Sequence, residues 1–120
     1  MANRGRSLKP IEWLDELPCA VTVCDKDYSI LYMNDMAAEA TKEDGGRKLI
    51  GKSLLDCHPP RARRKLIKVM ESGKPNIYTA ERGGVRKMVY QCHWRSGGVV
   101  SGLLELTFVL PKKVPRHVRK

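Results

Sequence analysis

The sequence contains no apolar run approaching the roughly 20 residues that a bilayer-spanning helix needs. Its first ten residues, MANRGRSLKP, carry positive charge but are followed by no apolar stretch, so no secretory signal is expected and the cytoplasm is the expected compartment. None of the four cysteines forms a C-x-x-C pair, which argues against a disulfide framework. There is no G-x-S-x-G, no phosphate-cradling glycine loop and no H-E-x-x-H. Catalysis therefore has no support, and the chain is expected not to be an enzyme. No kinase, cyclase or helix-turn-helix output region is recognisable either, so a signal is expected to leave by contact with another protein.

What is present is one domain's worth of chain. The 120 residues can close one hydrophobic core, and 42% hydrophobic with 30% charged residues is the balance of a globular protein. The net charge is +10, but eight basic residues sit in two ten-residue tails, 1–10 and 111–120. The body between them is left with only +2, because all thirteen acidic residues lie there. One basic cluster remains inside: Arg61, Arg63, Arg64, Lys65 and Lys68. It lies opposite the apolar stripe of its segment and reads as a solvated face, or more mildly as a surface for an acidic protein. Nucleic-acid binding would need aromatic platforms or a motif nearby, and neither is present.

Two Cys-His dipeptides, Cys57-His58 and Cys92-His93, raise the question of a metal site. Adjacent residues on a strand point to opposite faces, so Cys92 and His93 could not share an ion if extended. No metal is expected.

Pro10 and the IEWLDEL that follows read as a short helix ended by Pro18. CAVTVCD and YSILYMN read as a hairpin over 19–34, with Asp25-Lys26-Asp27 as turn chemistry. Asn34 or Asp35 suits the N-cap of the following MAAEATK. Residues 43–48 are a polar break, and LIGKSLLDCHPP reads as short turns. Pro59-Pro60 then open a helix over 61–72, with Ala62, Leu66, Val69 and Met70 as its apolar stripe and Gly73 at its end. The last third is extended: three strands joined by Gly83-Gly84 and Gly97-Gly98. The final strand is apolar on both alternations, so both of its faces need a cover. One face would meet the helices; the other would need the N-terminal helix or a second subunit, and a homodimer is expected.

The predicted class is α+β, with five antiparallel strands and helices on one face. This order, with a D-x-D-x-x-I-L-Y-x-N hairpin ending at Asn34, the Leu49-Ile50-Gly51-Lys52-Ser53 segment and Gly102 in the last strand, resembles the PAS family over residues 11–110. Cys57-His58-Pro59 further resembles small PAS proteins that carry this element before the long helix. The resemblance implies a sensory and dimerisation module. Many such domains hold haem, flavin or a metabolite between sheet and helices; others serve only in protein contact. The expected function is thus sensing through a small ligand or an unidentified signalling partner. A ligand-free scaffold and a small basic nucleic-acid-binding protein are the two alternatives.

The candidate cavity residues are Asn34, His58, Tyr78, Tyr90, Gln91, His93 and Trp94. Which alternation of the 87–94 strand faces inward is open, because Met88, Tyr90, Cys92 and Trp94 mix polar and apolar character as Lys87, Val89, Gln91 and His93 do. A neutral ligand held by one or two of these groups is expected if a cavity exists. His58 could instead ligate haem iron or bind an anion, although a lone histidine is a weak signal for haem. The Asn-Cys-Arg-Phe-Leu-Gln string of flavin photoreceptors is missing, which argues against flavin. The candidate dimer contacts are Ile11, Trp13, Leu14, Leu103 and Val109.

Overall fold

A computed structural model describes residues 12–120. Helix α1 (Glu12–Asp15) is a single turn, and Pro18 stands just before strand β1 (Ala20–Asp25). Strand β2 (Ile30–Met33) pairs antiparallel with it, making the expected hairpin. The turn is tied by Asp25, whose Oδ1 accepts from the backbone N–H groups of Asp27 and Ser29, both at 2.9 Å. Asn34 caps helix α2 (Asp35–Ala40), and 3-10 turns then occupy Lys42–Asp44, Gly46–Leu49 and Leu54–Cys57. Helix α3 (Pro60–Ser72) begins with proline at its first position, where a missing N–H loses no intrahelical bond. Three strands close the fold: β3 (Asn76–Arg82), β4 (Val85–Ser96) and β5 (Val99–Val109). Both two-residue loops between them have positive φ at both glycines, 58° and 79°, then 58° and 81°, as a type I′ turn requires.

The strands form one antiparallel sheet in the order β2-β1-β5-β4-β3, so the first hairpin docks beside the last strand. Helices α2 and α3 and the 3-10 turns cover one face. Beneath α3, Cys24, Leu66, Val69 and Leu103 form one buried cluster; Ile30, Met33, Ala37 and Leu49 form a second. Leu54 touches both. Each buried aliphatic side chain here contributes about 1.5–3 kcal/mol relative to exposure. Helix α1 is held to the other side of the β2 edge, where the Tyr32 hydroxyl donates to Asp15 Oδ1 at 2.5 Å. Among the described residues, no helix is long and apolar enough to cross a membrane.

The register decides what the pattern of β5 left open. Cys24 pairs with Leu103 and His93 with Leu103, while Tyr90 pairs with Leu106 and Met88 with Phe108. Leu103 is 3% exposed and lies in the core under α3. Val109 has the same parity and is exposed where the strand runs out. Neither belongs to the outer sheet face, contrary to the assignment made from the sequence. The outward set is Leu104, Leu106 and Phe108, together with Tyr90, Cys92 and Ile77 on the neighbouring strands. Of the other expected dimer contacts, Trp13 is 65% exposed on α1, Leu14 is half-buried beside it, and Ile11 lies outside the described residues.

Candidate functional site

Between the sheet and the helical layer lies a cavity of about 190 Å³. Its floor is Thr22 from β1, Gln91 from β4 and Leu103 and Glu105 from β5. Its walls come from the connecting segments, Thr41, Asp44, Leu49, Leu54, Cys57 and His58, and from Leu66 of α3. The lining is mainly apolar, with a few convergent polar groups, the usual make-up of a small-molecule site. The volume is below the 300 Å³ or so at which drug-sized ligands begin to fit.

The polar floor is a chain of hydrogen bonds across three strands. Asn76 Nδ2 donates to Gln91 Oε1 at 2.9 Å, and Gln91 Nε2 donates to Glu105 Oε2 at 2.8 Å. An ionised carboxylate can only accept, so Gln91 must turn its NH₂ towards Glu105 and its carbonyl towards Asn76. Gln91 is 6% exposed, and both of its polar ends are engaged. Glu105 is half-buried, and among the described residues no cation lies within ion-pair distance of it. A shallow groove continues the cavity towards α3 and β3, lined by His58, Ala62, Lys65, Asn76, Tyr78 and Gln91. Burial pushes the Tyr78 phenol up, and the Glu105 charge adds to the shift, so this hydroxyl stays neutral.

His58 stands at the junction of cavity and groove, immediately after the Leu54–Cys57 turn. Its Nδ1 lies 2.8 Å from the Leu54 carbonyl oxygen. A carbonyl only accepts, so Nδ1 carries the proton, and in the neutral ring Nε2 is left as an acceptor. Desolvation, followed by the charges of Asp44 and Asp56, raises the Cys57 thiol, and Lys52 offsets this only in part. Cys57 is therefore held as a thiol, a poor nucleophile and a poor metal ligand at neutral pH. Among the described residues, no group of three or more metal-ligating side chains comes together.

Of the seven expected cavity residues, His58 and Gln91 line the cavity and Tyr78 lines the adjoining groove. His93 points to the same side but reaches α3, where its Nε2 lies 2.8 Å and 3.1 Å from the Val69 and Met70 carbonyl oxygens. It thus adds a donor to carbonyls in the last turn of the helix, where Val69 also accepts from the Ser72 hydroxyl at 2.9 Å. Tyr90 and Trp94 share the opposite alternation, and the Trp94 indole N–H donates to the Cys24 carbonyl at 2.8 Å. The indole crosses over Gly102, where a Cβ would stand 1.9 Å from the Cys24 oxygen. Asn34 is fully buried and entirely engaged by backbone. Its Oδ1 accepts from Val21 and Ala37, and its Nδ2 donates to Cys19 and Leu14. It clamps the hairpin, α1 and α2 together and contributes no wall to the cavity.

A family model described as PAS fold matches residues 14–94. The chain belongs to the PAS family. No curated protein sequence matches it. Among solved structures, this PAS domain resembles a C-terminal domain from Streptococcus mutans at 25% identity, covering 80% of this chain and 78% of that one, with a TM-score of 0.66. It also resembles a sensory box sensor histidine kinase from Vibrio cholerae at 17% identity, covering 89% and 94% with a TM-score of 0.60. A third similar structure is the Aer2 receptor of Vibrio cholerae, a dual PAS-heme oxygen sensor, at 16% identity, 78% and 95% coverage and a TM-score of 0.59. The PAS sheet and its single helical layer explain why the cavity sits where it does.

Glu105, Thr22, Thr41 and Asp44 are cavity residues that the sequence reading missed. Glu105 had a signal: it is the single charge in the apolar run from Val99 to Leu110. A charge retained on an otherwise apolar strand marks a position where something polar must be met. The other three carry no comparable mark.

Proposed function

We propose that this PAS domain is a sensory and signalling module that takes up a small molecule between sheet and helices and passes its state on by protein contact. The observation that carries this reading is the cavity with the Asn76–Gln91–Glu105 chain fixed across its floor. A core built only for stability would fill that space with side chains, as close-packed interiors do. Binding, not catalysis, is its role: Cys57 is held protonated, and the ring proton of His58 is engaged by a backbone carbonyl. A porphyrin, the group in the Aer2 sensor's description, is far larger than 190 Å³. The expected occupant is smaller. Four free cysteines suit a reducing compartment such as the cytoplasm.

The reading includes a homodimer formed through α1 and the outer sheet face. Its support is the apolar surface there: Trp13 at 65%, Ile77 at 57% and Phe108 at 40% exposure. Native mass spectrometry against the denatured mass tests both parts. Retained mass beyond one or two chains supports the ligand; a clean dimer with nothing bound favours a contact module. A Phe108→Glu substitution should turn a dimer into a monomer in light scattering, and an unchanged dimer removes the outer face from the proposal.

A further inference from the structure

The polar groups around the cavity are unevenly divided between donors and acceptors. Glu105 Oε2 accepts from Gln91, and its other oxygen is bonded to no described residue. Asp44 brings a second carboxylate to the rim. The neutral ring of His58, with its proton directed at Leu54, adds an acceptor nitrogen. The Thr41 hydroxyl is turned to the carbonyls of α2, at 2.9 Å from Ala37 and 3.4 Å from Ala38. On the donor side only the second Gln91 N–H and the Thr22 hydroxyl remain. Basic side chains border only the adjoining grooves, Lys65 beside His58 and Gln91, Lys52 beside Asp44 and Cys57, and Lys87 on the other side of Glu105, and among the described residues none is ion-paired with Glu105. The Gln91 bond holds the carboxylate in place from below, because Gln91 is itself buried and anchored by Asn76. A half-buried carboxylate with one oxygen fixed and the other free lacks a counter-charge.

We propose that the cavity takes a small cationic, donor-rich ligand, an amine or amidine, with Glu105 as its counter-charge. The inference rests on the ligand-sensing reading above and narrows it. An anion would meet two carboxylates and a ring nitrogen lone pair. A neutral ligand would leave Glu105 desolvated and unpaired. A cation of sub-drug size satisfies the free oxygen and buries its apolar body against Leu49, Leu54 and Leu66.

Three probes of equal heavy-atom count separate the possibilities: benzamidine, benzamide and benzoate. Each is titrated into the full chain while the backbone amide resonances of Gln91 and Leu103 are followed. Benzamidine should bind about tenfold tighter than benzamide, the effect of one charge-assisted bond, and benzoate should not bind. Glu105→Gln is isosteric and keeps an acceptor for Gln91. It should erase the benzamidine advantage and leave benzamide binding unchanged, which also shows that the cavity still folds. Benzoate binding as tightly as benzamidine overturns the ligand class and leaves the cavity as a site. So does a benzamidine advantage that survives Glu105→Gln. Silence from all three probes overturns the class as well. If the native mass then shows nothing retained, the sensing reading falls with it.

Discussion

Asn34→Asp changes one side-chain NH₂ to an oxygen and tests whether Asn34 is a clamp. Two of the four hydrogen bonds survive on paper, since an oxygen still faces the N–H groups of Val21 and Ala37 at 2.9 Å and 3.0 Å. The other two are inverted. An acceptor now faces the carbonyls of Cys19 and Leu14 at 2.8 Å and 3.1 Å, at a site with no exposure. The Cys19 carbonyl loses this donor, the Leu14 carbonyl keeps only the Leu17 N–H at 3.3 Å, and a carboxylate oxygen is set against both; at about 1–3 kcal/mol for each unmet buried group, the loss at pH 7 should reach about 3 kcal/mol. That is a large part of the 5–15 kcal/mol available to a domain. The introduced carboxyl can donate only when protonated, so its pKa in the folded chain is raised above the unfolded value of about 3.9. The deficit is then smallest below pH 4 and grows as pH rises through the folded pKa. Urea unfolding of both proteins at pH 4 and pH 7 measures this, and taking the difference removes carboxylates common to both. A variant within 1 kcal/mol of the parent at pH 7, or one equally destabilised at both pH values, refutes the clamp.

Gly102→Ala should be more damaging than its size implies, because the new Cβ meets the Cys24 oxygen at 1.9 Å and Trp94 Nε1 at 2.6 Å. We expect about 3 kcal/mol lost in urea unfolding, and Trp94→Phe in the same chain should not rescue it, since the backbone clash remains. Tyr32→Phe removes the hydroxyl that donates to Asp15 and should cost about 1 kcal/mol at pH 7. Desolvation and then the Asp15 bond hold the Tyr32 pKa well above the usual phenol value, so that contribution is present at neutral pH. It should fade as the pH climbs past about 10, where the unfolded phenol ionises. A gap between parent and variant that stays constant up to pH 11 would contradict the Asp15 contact.

Local chemistry made much of the fold readable. The Asp25 turn, the Asn34 cap, proline opening α3 and the paired-glycine turns each depend on residues within four positions of one another. Face assignment is different, because it depends on partners far along the chain. In β5 both alternations are apolar, so no pattern separates Leu103 from Leu104; pairing with Cys24 and packing of Leu66 do. In β4 Gln91 and Tyr90 are both amphipathic, and what turns Gln91 inward is the carboxylate of Glu105 on the next strand. The cavity itself was half legible. His58, Gln91 and Tyr78 stand at or beside it, whereas Asn34, His93 and Trp94 are occupied in holding the frame and Tyr90 lies on the outward alternation.

The floor of the cavity is one strand thick. Gln91 faces inward, and its immediate neighbours Tyr90 and Cys92 face out on the other side of the same backbone. Two residues further on, His93 is fastened to the end of α3. A ligand taken up as proposed would therefore press, as a hand does on a drum skin, on a layer whose outer side lies at the same place. The bonds from His93 to α3 tie that layer to the helix at its rim.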